Sequence, residues 1–174
     1  MRIISGRLKG RKLIPPKGKE LRPTSDRAKE TLFNILASRY NLSGAKAADL
    51  FCGSGAFGLE CISRGAEAVV FVDFNTDLAR RNAEALGVAD MCTFVRGDAL
   101  AFAENTGDRF DILIADPPYM YDRHKALAET SLGISGIVVI EHSGSFEPSP
   151  ELSAKAVAIR SEGKAHFTIF QNRS

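Results

Sequence analysis

The stretch Ile112-Leu113-Ile114-Ala115-Asp116-Pro117-Pro118-Tyr119 places a carboxylate, two prolines and an aromatic ring directly after a short apolar run. Consecutive prolines stiffen a turn and remove two backbone N–H donors. What remains beside Asp116 is acceptors: its carboxylate and the nearby carbonyl oxygens. An exocyclic amine on a nucleobase presents two N–H donors. Acceptors on a rigid turn can take both and aim the nitrogen lone pair at an electrophile. The aim matters because that lone pair is delocalised into the ring; orientation and stabilisation of developing charge lower the barrier. Tyr119 adds a flat face on which an extruded base can stack. Asp116, Pro117 and Tyr119 are therefore the candidate catalytic residues. The bland alternative is a proline-rich turn with a capping Asp.

A second stretch, Asp49-Leu50-Phe51-Cys52-Gly53-Ser54-Gly55-Ala56-Phe57-Gly58, satisfies G-x-G-x-x-G. Glycines let a strand-to-helix turn close tightly and approach a ligand without Cβ clashes. The pattern alone is a weak signal. It fits a dinucleotide site with pyrophosphate on the helix N-terminus, or an S-adenosylmethionine (SAM) site. It also fits a tight turn whose glycines serve packing only. Asp73 ends the next apolar run, twenty residues after Gly53. A carboxylate there accepts two ribose hydroxyl bonds, in either cofactor, or caps a helix before Asn75-Thr76. Asp98 follows the third strand and reaches an adenine amino group or caps the next helix. Phe74 packs on the adenine face or is an ordinary aromatic.

These groups need a scaffold that delivers them together. From residue 46 onward short apolar runs alternate with helical patterns. Strands are expected at 47–51, 68–72, 93–95, 111–115 and 136–140. Helices are expected at 57–63, 77–86, 100–104 and 123–132. Several strands are apolar on both faces, as in a parallel sheet covered by helices. Repeated βα units imply an α/β, doubly wound, mostly parallel sheet. Residues 155–160 and 164–170 read as an antiparallel C-terminal hairpin on its edge. The N-terminus reads as a small β-hairpin, Arg2–Ile4 with Lys12–Ile14, turned at Gly6 and Gly10. A helix follows, capped from Pro23-Thr24-Ser25-Asp26 and ending near Tyr40.

The 174 residues fit one compact domain with a short appendage. Hydrophobic residues at 44% and charged residues at 25% are ordinary for a globular chain and exclude wholesale disorder. No apolar run is longer than five residues, against the ~20 a membrane helix needs. Three widely spaced cysteines, Cys52, Cys61 and Cys92, form neither a disulfide framework nor a zinc pattern and suit a reducing cytoplasm. His124, His142 and His166 share no ligand spacing, so no metal is expected. The net charge of +2 hides an asymmetry: residues 1–30 carry ten Lys/Arg against three acids. A basic arm on a mildly acidic body suits a polyanion. By itself it is also read as a solvated tail.

With the arm added, the resemblance is specific. The D-x-F-x-G-x-G loop with Asp-Pro-Pro-Tyr resembles the amino-methylating class of SAM-dependent methyltransferases. Residues 2–13, 21–27 (Leu-Arg-Pro-Thr-Ser-Asp-Arg) and 30–34 (Glu-Thr-Leu-Phe-Asn) resemble the RsmD-like family, guanine-N2 methyltransferases of bacterial 16S rRNA. The resemblance covers nearly the whole chain. It implies a seven-stranded Rossmann-like domain at 45–174 behind a basic extension at 1–44. It implies SAM as methyl donor, held by Asp49, Phe51, Gly53, Gly55, Asp73, Phe74, Asp98 and Ala99. It implies that Arg7, Lys9, Arg11, Lys12, Arg22 and Arg27 bind rRNA phosphates, on 16S rRNA or a small-subunit particle, by a cytoplasmic monomer. Tyr119 keeps the stacking face where that family commonly carries phenylalanine.

Three other functions fit part of the pattern. An adenine-N6 methyltransferase would use the same corner, but the chain has no room for a separate DNA-reading domain. A non-catalytic RNA-binding assembly factor would not need Gly53, Gly55, Asp73 and Asp116 together. An NAD oxidoreductase leaves Asp-Pro-Pro-Tyr and the arm unexplained.

Overall fold

A computed structural model of the chain describes residues 1–16, 26–144, 146–162 and 165–172. In chain order the elements are α1 (Asp26–Arg39), β1 (Lys46–Leu50), α2 (Ala56–Ser63), β2 (Ala68–Asp73), α3 (Asp77–Leu86) and β3 (Cys92–Arg96). Then come α4 (Ala99–Asn105), β4 (Phe110–Ala115), α5 (His124–Ile134), β5 (Ser135–His142), α6 (Pro150–Ser153), β6 (Ala156–Glu162) and β7 (Ala165–Gln171). They build one seven-stranded sheet in the order β3-β2-β1-β4-β5-β7-β6. β1 to β5 run parallel; β7 is antiparallel to both β5 and β6. The α/β architecture expected from the alternating pattern is the one observed.

Alternation along each strand divides the core into two layers. Val69 and Phe71 of β2 join Leu32 and Phe33 of α1, Leu59 and Ile62 of α2, and Ala79 and Ala83 of α3 on one face. Val72, Leu113, Val138 and Ile140 join Leu100 of α4 and Leu127 and Leu132 of α5 on the other. Gly58 lets α2 lie close on the sheet: a Cβ there would stand 2.4 Å from Phe71 Cε1. The last glycine of the motif is thus a packing residue, as its bland reading held.

The expected N-terminal hairpin forms as a short antiparallel pair around the Arg2–Lys12 bridge, with Ile3 N–H donating to Arg11 O at 3.0 Å and Leu13 N–H to Met1 O at 3.2 Å, and it goes no further. The reason lies in where the backbone donors go. Ile4 N–H and Ser5 N–H donate to the Glu60 carboxylate, at 2.8 and 3.0 Å. Arg7 N–H donates to Ser63 O at 2.8 Å and Leu8 N–H to Ser63 Oγ at 3.0 Å. Groups that would extend a ladder are spent on α2 instead. Ile3 and Leu13 are buried in the same layer as α1 to α3. Glu60 itself is fully buried, paired with Arg64 at 2.8 Å and with buried Lys29 at 3.4 Å. Lys29 also donates to Arg2 O at 2.6 Å.

Candidate functional site

In a parallel sheet, loops that leave the carboxyl ends of adjacent strands lie side by side, and ligands bind where the strand order reverses. Here β1 is flanked by β2 and β4. Leu50 is in register with Val72 of β2 and Ala115 of β4. The next residues, Phe51, Asp73 and Asp116, therefore share one edge. Asp98 joins them beyond β3, whose Arg96 pairs with Asp73.

The glycine loop is bent sharply. Phe51, Gly53 and Gly55 take φ of 58°, 50° and 76°. Phe51 is the one non-glycine residue with positive φ among the described residues, a strained conformation of the kind that collects at ligand sites. The loop's donors are held by carboxylates. Gly53 N–H donates to Asp73 Oδ2 at 2.9 Å. Gly58 N–H donates to Asp49 Oδ2 at 2.8 Å. Asp73 Oδ1 also accepts from Asn75 N–H at 3.2 Å. Asp49 is buried, and burial, then the charges of Asp116 and Asp73, push its carboxyl well above the usual range.

This wiring bears on the two cofactor readings that sequence left open. A dinucleotide brings a pyrophosphate, which needs free N–H groups at the start of the helix and a positive field. Of those donors Gly58 N–H is already occupied by Asp49, Gly53 N–H in the loop before the helix is occupied by Asp73, and Asp116 lies beyond the next strand. The rim suits a ligand that carries positive charge beside its ribose. SAM, a sulfonium with an α-amino group, meets that condition. Asp73 stands at the end of β2 beside the loop. Phe74 stands beside it, 71% exposed. Asp98 caps α4, its Oδ1 accepting from Ala101 N–H at 2.8 Å. Ala99 is buried in the first turn of that helix.

Asp116 closes β4. Its N–H donates to Leu50 O at 3.3 Å, which ties the corner to β1. Pro117 is buried behind it, and Tyr119 points outward, 57% exposed. Tyr121 N–H donates to Pro118 O at 2.8 Å. The Tyr121 ring then meets Phe51 edge-on at 5.2 Å. The two loops that carry the site thus brace each other through an aromatic contact that the sequence did not announce.

The three histidines come together behind this brace. His124 touches Tyr121 at 5.3 Å, and the His142 ring lies 6.4 Å from His124 and 5.8 Å from His166. Among the described residues no group of three or more His, Cys, Asp or Glu is placed to hold a metal. His142 Nδ1 accepts from Gly144 N–H at 3.1 Å, so its Nε2 proton goes to Thr168 Oγ1 at 2.9 Å. Burial, then His166 and His124, lower its pKa to about 4. An imidazole at its ordinary 6.5 when unfolded takes up a proton that the folded state refuses between those values. The stability it contributes is complete above pH 6.5 and is lost as pH falls toward 4. His142→Gln should flatten that acid limb, on the order of 2 kcal/mol, in urea titrations run from pH 7 to 4. An unchanged limb would show that other groups set it.

The basic arm is not gathered at the corner. Arg7 reaches Met91 Sδ, and Arg11 donates to Ala85 O at 2.9 Å. Ser63 ends α2, Ala85 lies in the last turn of α3 and Met91 ends the short turn before β3. Those ends lie at the edge where strands begin, opposite Asp116. Lys9 and Lys12 are exposed on the same segment, and Arg27 is exposed on α1. Arg22 lies outside the described residues. Chain order put these cations together but carried no information about which sheet edge they occupy.

The sheet order, the bent loop with its acid rim, and the proline corner are those of a Rossmann-like methyltransferase. A family profile described as "Conserved hypothetical protein 95" matches residues 1–171, and this chain belongs to that family. The resemblance drawn from the residues is thereby borne out. YlbH of Bacillus subtilis is 34% identical over 99% of this chain and 100% of its own. "Ribosomal RNA small subunit methyltransferase D" of Escherichia coli (strain K12) is 37% identical over 75% of this chain and 64% of its own. The solved structure of a hypothetical protein from Thermus thermophilus superposes with a TM-score of 0.82 at 27% identity, over 99% of both chains.

Proposed function

We propose that this protein methylates the exocyclic N2 amine of a guanine in small-subunit rRNA, using SAM. The observation that carries the reading is the acceptor corner at Asp116, set one strand away from a glycine loop rimmed by acids. The E. coli relative's name supplies the substrate class. SAM, when bound, supplies an electrophilic methyl carbon on a sulfonium. The chain's residues do the rest. Asp49 and Asp73 fix the loop, and Asp73 is available to a ribose. The Asp116 carboxylate and the Pro117 carbonyl accept the two amine N–H bonds and turn the nitrogen lone pair toward the cofactor side. Tyr119 supports the extruded base. With SAM bound, the methyl carbon would leave the sulfonium, which becomes a neutral thioether, as the N–C bond forms, and the amine proton would pass to solvent. Asp116 acts by position and charge, accepting from the amine rather than removing its proton.

Residues 1–44 are the RNA-positioning part of the molecule in this reading, and the chain acts as a cytoplasmic monomer on 16S rRNA or an assembling small subunit. Incubating it with tritiated SAM and small subunits from a strain that lacks the activity should yield N2-methylguanosine on nucleoside analysis. N6-methyladenosine in its place would move the assignment to the adenine enzyme, and no transfer with SAM bound would favour the assembly factor. Arg7→Ala, Arg11→Ala and Lys12→Ala together should weaken subunit binding about tenfold at low salt, with a shallower salt dependence and unchanged SAM affinity. Equal RNA affinity would take the arm out of the substrate site.

A further inference from the structure

One side chain beside the corner has no role in the mechanism above. The bond from Tyr121 N–H to Pro118 O closes a four-residue turn whose central residues are Tyr119 and Met120. Met120 is 93% exposed, the highest value among the exposed large apolar side chains. Turn tips usually carry Gly, Asn, Asp, Ser or Pro, each for a backbone reason. Here a long thioether stands in water instead, next to a half-exposed tyrosine.

The tip is held rather than loose. On one side Pro117 is buried and Asp116 N–H is bonded to Leu50 O. On the other, the Tyr121 ring is packed edge-on against Phe51 and His124. The patch is too small for a protein interface, which needs a contiguous apolar surface of several hundred Å²; Asp122 and Arg123, both exposed, follow directly. What such a tip fits is a gap of one base.

We propose that Met120 is a wedge that enters the RNA base stack and fills the space left when the target guanine turns out onto Tyr119. The inference rests on methyl transfer to a base in folded RNA. Extruding a base costs stacking and pairing, and the vacated slot exposes the faces of its neighbours. Apolar side chains, methionine among them, are the groups that proteins insert between bases. An unbranched, polarisable thioether adapts to either purine or pyrimidine faces and makes favourable sulfur–aromatic contacts. Tyr119 and Met120, adjacent on one turn, thus divide the work: one receives the base, the other holds its place.

Steady-state transfer of tritiated methyl to small subunits from a strain lacking the activity tests this, with the wild type as the control for the reaction itself. Met120→Ala should lower kcat about tenfold or more, because extrusion follows binding, while KM for subunits stays within about twofold. Met120→Leu should stay within about threefold of the wild type, and Met120→Gln should behave like Ala, since apolar volume is what counts. SAM affinity by calorimetry and Tm should match the wild type in all three, as expected of a side chain in solvent. A kcat for Met120→Ala within twofold of the wild type overturns the wedge. So does a loss confined to KM, which makes Met120 a docking contact, or a Leu variant no better than Ala. An inactive wild type overturns the functional reading instead.

Discussion

Asp116→Ala is expected to lower kcat for methyl transfer about 10³-fold, with SAM affinity within a few-fold of the wild type. The corner should survive the change. Its backbone is secured by the N–H bond to Leu50 O and by the buried Pro117. What is lost is an acceptor aimed at an amine whose lone pair must be drawn out of conjugation. Asp116→Asn is the sharper variant. It keeps one acceptor oxygen at nearly the same volume but substitutes an NH2 donor, which faces the substrate's own donors. It should fall almost as far as Ala. Burst and steady-state measurements with labelled SAM, beside calorimetry for SAM, separate chemistry from binding. Near-normal turnover in either variant would remove Asp116 from the reaction.

The largest stability effect should come from Glu60, far from the chemistry. Its carboxylate is 0% exposed and takes four partners: Lys29, Arg64 and the N–H groups of Ile4 and Ser5. Burial lowers the Lys29 pKa, and Glu60 is the charge that opposes this most. Glu60→Ala leaves an ammonium buried without its counter-charge and two backbone donors without an acceptor. Truncating one partner of a buried pair costs about 3–5 kcal/mol. In a chain of this size that lowers Tm by about 10 °C. Lys29→Met combined with Glu60→Gln should recover part of the loss, because the uncompensated charge is gone and an amide oxygen still accepts from the N-terminal segment. A Glu60→Ala protein that melts within 2 °C of the wild type would show that this cluster does not hold the segment.

Much of the site is legible in the chain because its signals are local. Val69 to Asp73 and Ile112 to Asp116 each end an apolar run with an acid, and strand periodicity puts both acids at the same end of a parallel sheet. The glycine spacing marks the turn between β1 and α2, although only the structure shows that Gly58 serves packing and that Asp49 and Asp73 occupy the loop's donors. That last arrangement depends on contacts across 9 and 20 residues. The N-terminal hairpin is present, but it is shorter than its alternation suggests, for a related reason. Alternation and glycines at 6 and 10 favour a ladder, but acceptors on α2, more than fifty residues away, compete for the same N–H groups. Lys29 and Glu60 look like surface charges until tertiary packing pairs them. Asp98 carried two readings, and helix capping is the one its geometry displays.

The location of Arg7 and Arg11 bears on the size of the substrate. A strand of five residues, such as β1, spans roughly 17 Å. Cations anchored by the strand starts stand about one strand's length from the strand ends where Asp116 follows β4. A dinucleotide or a single nucleoside would meet one station and miss the other. If the arm binds the RNA as proposed, only a broad, folded RNA can reach both rims of the sheet at once, and short oligonucleotides should test the pocket but forfeit the leverage of the arm.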